Sequence, residues 1–199
     1  MTLTPTDEDL VAAFQSGDVS AFDELVIRWD RKIQGAIYRI LGSEDDARDL
    51  CQEAFLKAYR ALPGFKGEAR FSSWLYQIAL NLCRDRMRRR KGKVFLSFDD
   101  PQVTEPVNRP ANTPSALDLV EAADLSRTVA NAVATLPDEQ RQIIVLKEYE
   151  GMTFLEISEI LGVPLSTVKT RLYRGLVHLR ERLEREGVRA AAPLPAAVP

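Results

Sequence analysis

The stretch of sequence from Thr153 to Glu186 reads TFLEISEILGVPLSTVKTRLYRGLVHLRERLERE. Its first part predicts a short helix that is capped by Thr153 with Glu156 and ends at Gly162. Its second part predicts a helix from about Leu165 to Glu186, because leucine and valine recur at helical spacing. Two helices joined by a Gly-Val-Pro turn indicate a helix-turn-helix.

The second of these helices is amphipathic, and its polar side is basic. Its apolar stripe consists of Leu165, Val168, Leu172, Leu176, Leu179 and Leu183. The opposite face and its flank carry Thr167, Lys169, Thr170, Arg171, Tyr173, Arg174 and His178. Residues 165–180 contain no acidic group. Phosphates repel carboxylates and guanine edges accept bidentate arginine hydrogen bonds, so this face predicts a DNA-recognition helix. A solvated basic face on an ordinary helical hairpin is the alternative.

The composition limits the class of protein. The chain has 199 residues, 45% hydrophobic and 28% charged, as in a soluble globular protein of one or two domains. No run approaches the ~18 apolar residues of a membrane helix, and the start, MTLTPTDEDL, lacks the features of a secretory leader. We therefore expect a cytoplasmic protein without membrane insertion. Cys51, Cys83 and the single His178 predict no metal, no cofactor and no disulfide framework.

Charge is segregated along the chain although the net charge is only −2. Residues 64–93 carry 9 basic and 2 acidic groups, whereas residues 1–63 carry 7 and 12, and residues 94–139 carry 2 and 8. Charges act over roughly 8 Å at physiological salt, so a basic segment attracts phosphate whatever the total charge.

The whole pattern predicts an all-α fold of two small helical domains joined by a flexible, proline-containing linker. The other predicted helices are a short one capped by Thr6 and ending near Gly17, then Ser20 to Leu41, Ser43 to Leu62, about Phe71 to Arg90, Ser115 to Leu136, and Pro137 to Tyr149. We assign residues 1–93 and 126–188 to the domains, residues 94–125 to the linker and residues 189–199 to a disordered tail.

The helix after Phe71 combines an aromatic side with a basic end. Its predicted buried side is Phe71, Trp74, Leu75, Ile78 and Leu82, and its predicted polar stripe is Ser73, Gln77, Asn81, Arg84 and Arg88. Aromatic residues beside a basic groove suit unstacked single-stranded bases, and glycines in the preceding loop let backbone approach a ligand. Trp74 as a core residue and the loop as a mere connector are the alternatives, and for Trp74 we favour the core.

The helix from Ser43 to Leu62 has a third distinctive face. Its inward residues are Ala47, Leu50, Cys51, Ala54, Phe55, Ala58 and Leu62, and its opposite face is Asp49, Gln52, Glu53, Leu56 and Arg60. A leucine centred on an acidic face suits a protein partner with a basic surface. A single exposed leucine is also common without any partner.

Three stretches carry a family resemblance: DARDLCQEAFLKAYRAL, FKGEARFSSWLYQIALNLCRDRMRR, and LPDEQRQIIVLKEYEGMTFLEISEILGVPLSTVKTRLYRGLVHLRERL. In this order they resemble the bacterial RNA polymerase sigma factors of the extracytoplasmic-function (ECF) type, in the sigma-70 family. The resemblance covers roughly residues 8–92 and 126–186. It implies a non-enzymatic subunit whose partners are core RNA polymerase, promoter DNA and an anti-sigma factor.

The resemblance also implies roles for individual residues. The residues implied to dock the clamp helices of the largest polymerase subunit are Asp49, Gln52, Glu53 and Leu56. Those implied to contact the −10 element, with one base flipped out, are Phe65, Lys66, Gly67, Ala69, Phe71, Asn81, Arg84 and Arg88. Those implied at the −35 element are Thr153, Ser166, Thr167, Lys169, Thr170, Arg171 and Arg174. The flap of the second-largest subunit is a further implied contact.

The chain departs from the housekeeping members of the family at several points. It lacks their long intermediate domain, and Gln77 and Ile78 stand in place of their paired tryptophans, which implies weak intrinsic melting and dependence on a stringent promoter. Ser158 replaces the usual alanine. A stand-alone helix-turn-helix repressor or activator is the main alternative function, and a nuclease or recombinase is a weaker one.

Overall fold

The computed structural model describes residues 4–94 and 116–188, and within those ranges it is helical with no strand. The helices are α1 (Asp7–Gln15), α2 (Ser20–Leu41), α3 (Glu44–Ala61), α4 (Phe71–Val94), α5 (Ala116–Ala134), α6 (Asp138–Ile144), α7 (Phe154–Leu161) and α8 (Leu165–Arg185). A 3₁₀ turn spans Leu62–Gly64 and a π-helical segment spans Val145–Tyr149. The all-α prediction is confirmed. Most of the predicted linker and the predicted tail lie outside the described residues.

The ends of the helices follow the capping signals in the sequence. Thr6 and Thr153 each form a capping box, with Asp9 and Glu156 respectively. Gly42 and Gly162 end α2 and α7 in the left-handed conformation, at φ of 69° and 65°. Helix α4 continues beyond the predicted end at Arg90, to Val94. The predicted boundary between residues 125 and 126 falls inside α5.

Helix α4 buries a wider face than the sequence predicted. Tyr76, Leu80 and Cys83 are all buried. Ser73, which we expected on the polar stripe, is only 7% exposed, so that expectation was wrong. The reason is that α4 contacts α2 and α3 on one side and α7 on another. A helix with partners on two sides needs a broad apolar surface.

A buried carboxylate joins the first helices. Asp46, in the first turn of α3, is 8% exposed and accepts hydrogen bonds from Arg86 and Arg90 of α4. Arg90 also donates to the backbone carbonyl of Leu41, at the end of α2, over 3.2 Å. These contacts hold the end of α2, the start of α3 and the basic end of α4 together. Two arginines of the basic segment therefore have a structural role.

In the C-terminal part, α8 packs very closely on α6 at Gly175. A Cβ atom built at Gly175 would lie 2.9 Å from Ile144 Cδ1 and 3.2 Å from Gln140 Cβ. These distances are shorter than ordinary carbon contacts, so the glycine permits the two helices to meet. The buried residues that join α6 and its π-helical extension, α7 and α8 are Ile143, Ile144, Val145, Leu146, Ile157, Ile160, Val168 and Leu172.

The two groups of helices, α1–α4 and α5–α8, pack against each other, and we call this the closed arrangement. The Tyr76 hydroxyl donates to Glu150 Oε2 over 2.5 Å. The Arg39 guanidinium lies 4.6 Å from the centre of the Tyr149 ring. Arg141 donates to the carbonyl of Ile40 over 2.6 Å. The buried apolar residues of both groups belong to one continuous cluster.

Both cysteines are buried free thiols. Burial raises the pKa of Cys51 to about 12, and the neighbouring carboxylate of Asp30 adds to this rise. Burial likewise raises the pKa of Cys83 to about 12. A thiol with so high a pKa is protonated and unreactive at neutral pH, so these residues act as small apolar core residues.

We predict that Asp46→Ala lowers the free energy of unfolding by about 2 kcal/mol, because hydrogen bonds to charged groups contribute ~1.5–3 kcal/mol each and the partial exposure of Arg86 and Arg90 reduces the sum of the two. Denaturant unfolding at neutral pH measures this. Asp45→Ala is the control, since Asp45 is exposed in the same turn and should change stability by no more than about 0.5 kcal/mol. Equal losses in the two variants would contradict the structural role of Asp46.

Candidate nucleic-acid interface

The exposed side of α8 is the strongest candidate for a nucleic-acid interface. Val168 and Leu172 are buried against the other helices, as predicted, whereas Lys169, Thr170 and Arg174 are exposed. Ser166 is also exposed, and Thr167 and Arg171 are half-buried. The hydroxyl of Ser158 donates to the carbonyl of Val163 over 2.6 Å, which ties α7 to the turn before α8. Ser158, which replaces the usual alanine, therefore has a structural role.

One arginine on this face already has an intramolecular anion. Arg171 Nη2 lies 2.7 Å from Glu139 Oε2, at the start of α6. Nothing in the sequence pattern of α8 predicted this pair, because the partner comes from another helix. A DNA phosphate or base that binds Arg171 through Nη2 competes with Glu139 for this donor.

The hydroxyl of Thr153 is occupied by the capping box. It accepts from the backbone N–H of Glu156 and donates to Glu156 Oε2 over 2.8 Å. The backbone N–H of Thr153 donates to the same carboxylate over 2.8 Å. These hydrogen bonds lower the pKa of Glu156, which keeps the cap ionised. Thr153 therefore fixes the start of α7.

Residues 65–70, which precede α4, form an exposed segment that is supported by aromatic side chains. We call these residues the loop. Lys66, Gly67 and Ala69 are exposed. The half-buried Phe65 ring lies 4.8 Å from the ring of Trp74. Gly67 has a φ of 70°, which favours glycine there.

Two aromatic residues beside the loop belong to its support. The Phe71 side chain is fully buried, so it supports the loop by packing and is not available to a base. Trp74 is half-buried, and its ring lies between those of Phe65 and Phe71, 5.9 Å from the second. The expectation that Trp74 packs with the core is confirmed.

The polar face of α4 continues from the loop. Asn81 is exposed, and its Oδ1 accepts a hydrogen bond from Arg84 Nη1 over 3.0 Å. Arg88 is exposed and pairs with Asp85. Burial lowers the pKa of Arg84, and the positive charge of Arg171 lowers it further. Arg171 of α8 is therefore within electrostatic range of Arg84 in the closed arrangement.

A different surface, on α3, carries the acidic residues. Asp49, Gln52 and Glu53 are exposed around Leu56, which is 54% exposed. Glu53 pairs with Lys57 over 3.1 Å on the same helix. The inward residues predicted for this helix are all buried. The predicted division of α3 into a core face and an acidic face with a central leucine is confirmed.

The described residues contain neither a cluster of metal ligands nor a helix suited to cross a membrane. No group of three or more His, Cys, Asp or Glu side chains is arranged there to hold a metal ion. Among the helices of the same residues, none combines the length and apolarity that a membrane crossing requires.

Comparison with known families agrees with this geometry. The model of Sigma-70 region 2 matches residues 25–93, which contain α3, the loop and nearly all of α4. The model of Sigma-70, region 4 matches residues 126–179, which contain the helix-turn-helix. The chain therefore combines two regions of a sigma-70 protein.

Curated relatives specify the class. The ECF RNA polymerase sigma factor SigW of Bacillus subtilis is 38% identical over 172 residues, 85% of this chain and 92% of the relative. The ECF RNA polymerase sigma-E factor of Escherichia coli (strain K12) is 33% identical over 178 residues, 85% of this chain and 90% of the relative. This chain belongs to the ECF RNA polymerase sigma factors. It is a promoter-recognising transcription initiation factor.

Solved structures show the same fold. CnrH, in complex with the cytosolic domain of CnrY, is 27% identical with a TM-score of 0.65, covering 90% of this chain and 98% of that one. The sigma factor RpoE of Bartonella quintana, in complex with the anti-sigma factor NepR, is 22% identical with a TM-score of 0.70, covering 83% and 98%.

We predict that Thr153→Ala lowers the free energy of unfolding by about 1 kcal/mol, the usual loss for an N-cap hydroxyl. Thr153→Ser keeps the hydroxyl and should retain the stability. Thermal unfolding compares the two variants. If Thr153→Ala weakened DNA binding and left stability unchanged, the hydroxyl would be a DNA contact and not a cap.

Proposed function

We propose that this chain docks on core RNA polymerase through α3 and directs initiation by contacting a −10 element with the loop and α4 and a −35 element with α8. The observation that carries the proposal is one chain with an acidic, leucine-centred face on α3 and basic faces on α4 and α8. It acts as a non-enzymatic specificity subunit in the cytoplasm, where transcription takes place. The proposed domains are residues 1–93 and 126–188, with residues 94–125 as the segment between them, the last part of which belongs to α5, and residues 189–199 as the tail.

The docking face is supported by its charge and exposure. Asp49, Gln52 and Glu53 surround the exposed Leu56. A central apolar anchor with a polar rim is the usual anatomy of a protein interface. The partner that fits it is a basic surface, which we assign to the clamp helices of the largest polymerase subunit. We assign the flap of the second-largest subunit to the C-terminal module.

The −10 contact is assigned to the loop and to the exposed side of α4. Lys66, Gly67 and Ala69 are exposed in the loop, and Asn81 and Arg88 are exposed on α4. An unstacked base needs a polar pocket beside aromatic residues and positive charge nearby for the backbone. Phe65 and Phe71 contribute through the support of the loop, and Arg84 through its hydrogen bond to Asn81.

The −35 contact is assigned to the exposed side of α8. The residues proposed to face the major groove are Ser166, Thr167, Lys169, Thr170, Arg171 and Arg174. Arginine reads guanine through two parallel hydrogen bonds, whereas lysine and hydroxyl groups suit phosphates. Thr153 contributes by capping α7, which supports α8.

The closed arrangement has to open before both elements can be contacted. Helix α4 contacts α7, the helix before α8, in this arrangement, whereas two turns of DNA measure about 70 Å. The 21 residues of the proline-containing stretch 94–114, within the linker, span at most ~70–75 Å when extended, so an open form can reach both elements. We also propose an anti-sigma factor as a partner. Of the two similar structures, RpoE is in complex with the anti-sigma factor NepR, and CnrH is in complex with the cytosolic domain of CnrY.

A stand-alone repressor or activator is the alternative that the proposal has to exclude. Promoter-dependent initiation by purified core polymerase, with and without this chain, separates the two. Our proposal expects initiation only when both are present. A repressor binds its DNA without core polymerase and initiates nothing.

We predict that Asp49→Arg and Glu53→Arg each abolish co-purification with core polymerase. Charge reversal opposite basic residues costs several kcal/mol in an interface, while an exposed substitution changes stability by only about 0.5 kcal/mol. Glu24→Arg is the control, because it makes the same charge change at an exposed position of α2. Undiminished affinity of both α3 variants for core would refute the docking face.

We predict that Arg174→Ala weakens binding to the upstream element by about 1–3 kcal/mol and relaxes specificity at one base pair. Binding to a panel of single-base variants of the upstream site measures this. Arg185→Ala, at the exposed end of α8, should leave the specificity unchanged. An equal loss for every sequence would make Arg174 a phosphate contact.

A further inference from the structure

Gln15, the last residue of α1, forms side-chain hydrogen bonds to the backbone where the loop begins. Its Nε2 atom donates to the backbone carbonyl of Leu62 over 2.9 Å and to that of Phe65 over 2.8 Å. These partners lie 47 and 50 residues further along the chain. Gln15 also lies outside the part of the chain that matches Sigma-70 region 2, which begins at residue 25.

The two carbonyls are the ends of the turn from which the loop departs. The 3₁₀ turn spans Leu62–Gly64, and the Phe65 N–H donates to the Leu62 carbonyl over 3.1 Å. Pro63 has no N–H to contribute to this turn. The Gln15 amide therefore adds two hydrogen bonds to a short turn whose own backbone supplies few. It fixes the position of the Phe65 backbone, after which the chain is exposed through Arg70.

The end of α1 that carries Gln15 is itself held in place. The neighbouring Phe14 ring packs against Tyr59 at 5.3 Å and against Phe22 at 5.6 Å. These contacts attach the end of α1 to α2 and α3. The amide of Gln15 is thus presented from a packed helix, which is the support a positioning group needs.

We infer that Gln15 is a positioning residue for the loop. It determines the position of residues 65–70 relative to a captured base without contacting DNA. The inference rests on the proposed function of the loop. The contacts that capture a flipped base have to offset the free-energy cost of unstacking it. A loop that becomes ordered only on binding also loses conformational entropy, so it binds the base more weakly. Because Gln15 orders the start of the loop beforehand, its loss should reduce discrimination between bases more than it reduces the stability of the protein.

The experiment uses the full chain with bacterial core polymerase and a pool of single-stranded DNA with eight randomised positions. Sequencing of the bound fraction gives the ratio of the preferred base to the others at the most selective position. The variants are Gln15→Leu, which removes the donor, and Gln15→Glu, which has the same size but places a carboxylate against two carbonyls. The matched control is Ser16→Ala, because the Ser16 hydroxyl donates only within α1, to Ala12, over 2.8 Å.

We expect both Gln15 variants to lower this ratio by roughly threefold to tenfold, since two hydrogen bonds of ordinary net strength are lost. Ser16→Ala should keep the ratio, and the Gln15 variants should lower the unfolding temperature only modestly, because Gln15 is exposed. If Gln15→Leu lowers the unfolding temperature but leaves the base ratio unchanged, the positioning role is refuted and Gln15 is only structural.

A loop variant separates this failure from failure of the proposed function. Lys66→Ala with Ala69→Ser changes exposed loop residues and leaves the contacts of Gln15 intact. If this variant alters the base preference while the Gln15 variants do not, the loop is the reader and our inference about Gln15 is wrong. If the loop variant also leaves the preference unchanged, the assignment of the loop to DNA fails, and the inference fails with it.

Discussion

The ion pairs of Asp46 with Arg86 and Arg90 are the constraint on which the arrangement of the N-terminal helices depends. They fix the basic end of α4 against the start of α3, and through Arg90 they include the end of α2. The acidic face of α3 and the polar face of α4 therefore have a defined relative orientation. The proposed function requires this orientation, because a change in the angle between the faces would move the proposed DNA contact relative to the polymerase.

The same network divides the arginines of α4 into two groups that composition cannot distinguish. Arg86 and Arg90 are used in holding the helices together, whereas Arg88 is exposed and Arg84 orients Asn81. A local count of nine basic groups in residues 64–93 thus overstates the charge available to a phosphate. In this segment the same residue type, arginine, both holds the helices together and supplies the positive charge that attracts nucleic acid.

Much of the fold follows from local sequence signals. The capping residues Thr6 and Thr153 and the glycine stops Gly42 and Gly162 placed the helix ends, and the periodicity of α3 placed its two faces. Features that depend on partners distant in the sequence were not predictable in this way. The burial of Ser73 and the pair between Glu139 and Arg171 arise from packing between helices. At the candidate site, the hydrogen bonds from Gln15 to the start of the loop were likewise not predictable, because their acceptors lie 47 and 50 residues further along the chain.

The pair between Arg171 and Glu139 has a consequence for how binding responds to ionic strength. A free arginine that meets a phosphate displaces a condensed cation from DNA, and each such event steepens the dependence of affinity on salt. In the proposed contact, a phosphate at Arg171 competes with the carboxylate of Glu139 for the same guanidinium. Because salt weakens the Arg171–Glu139 pair as well as the phosphate contact, the proposed contact depends less on salt than one made by an unpaired arginine.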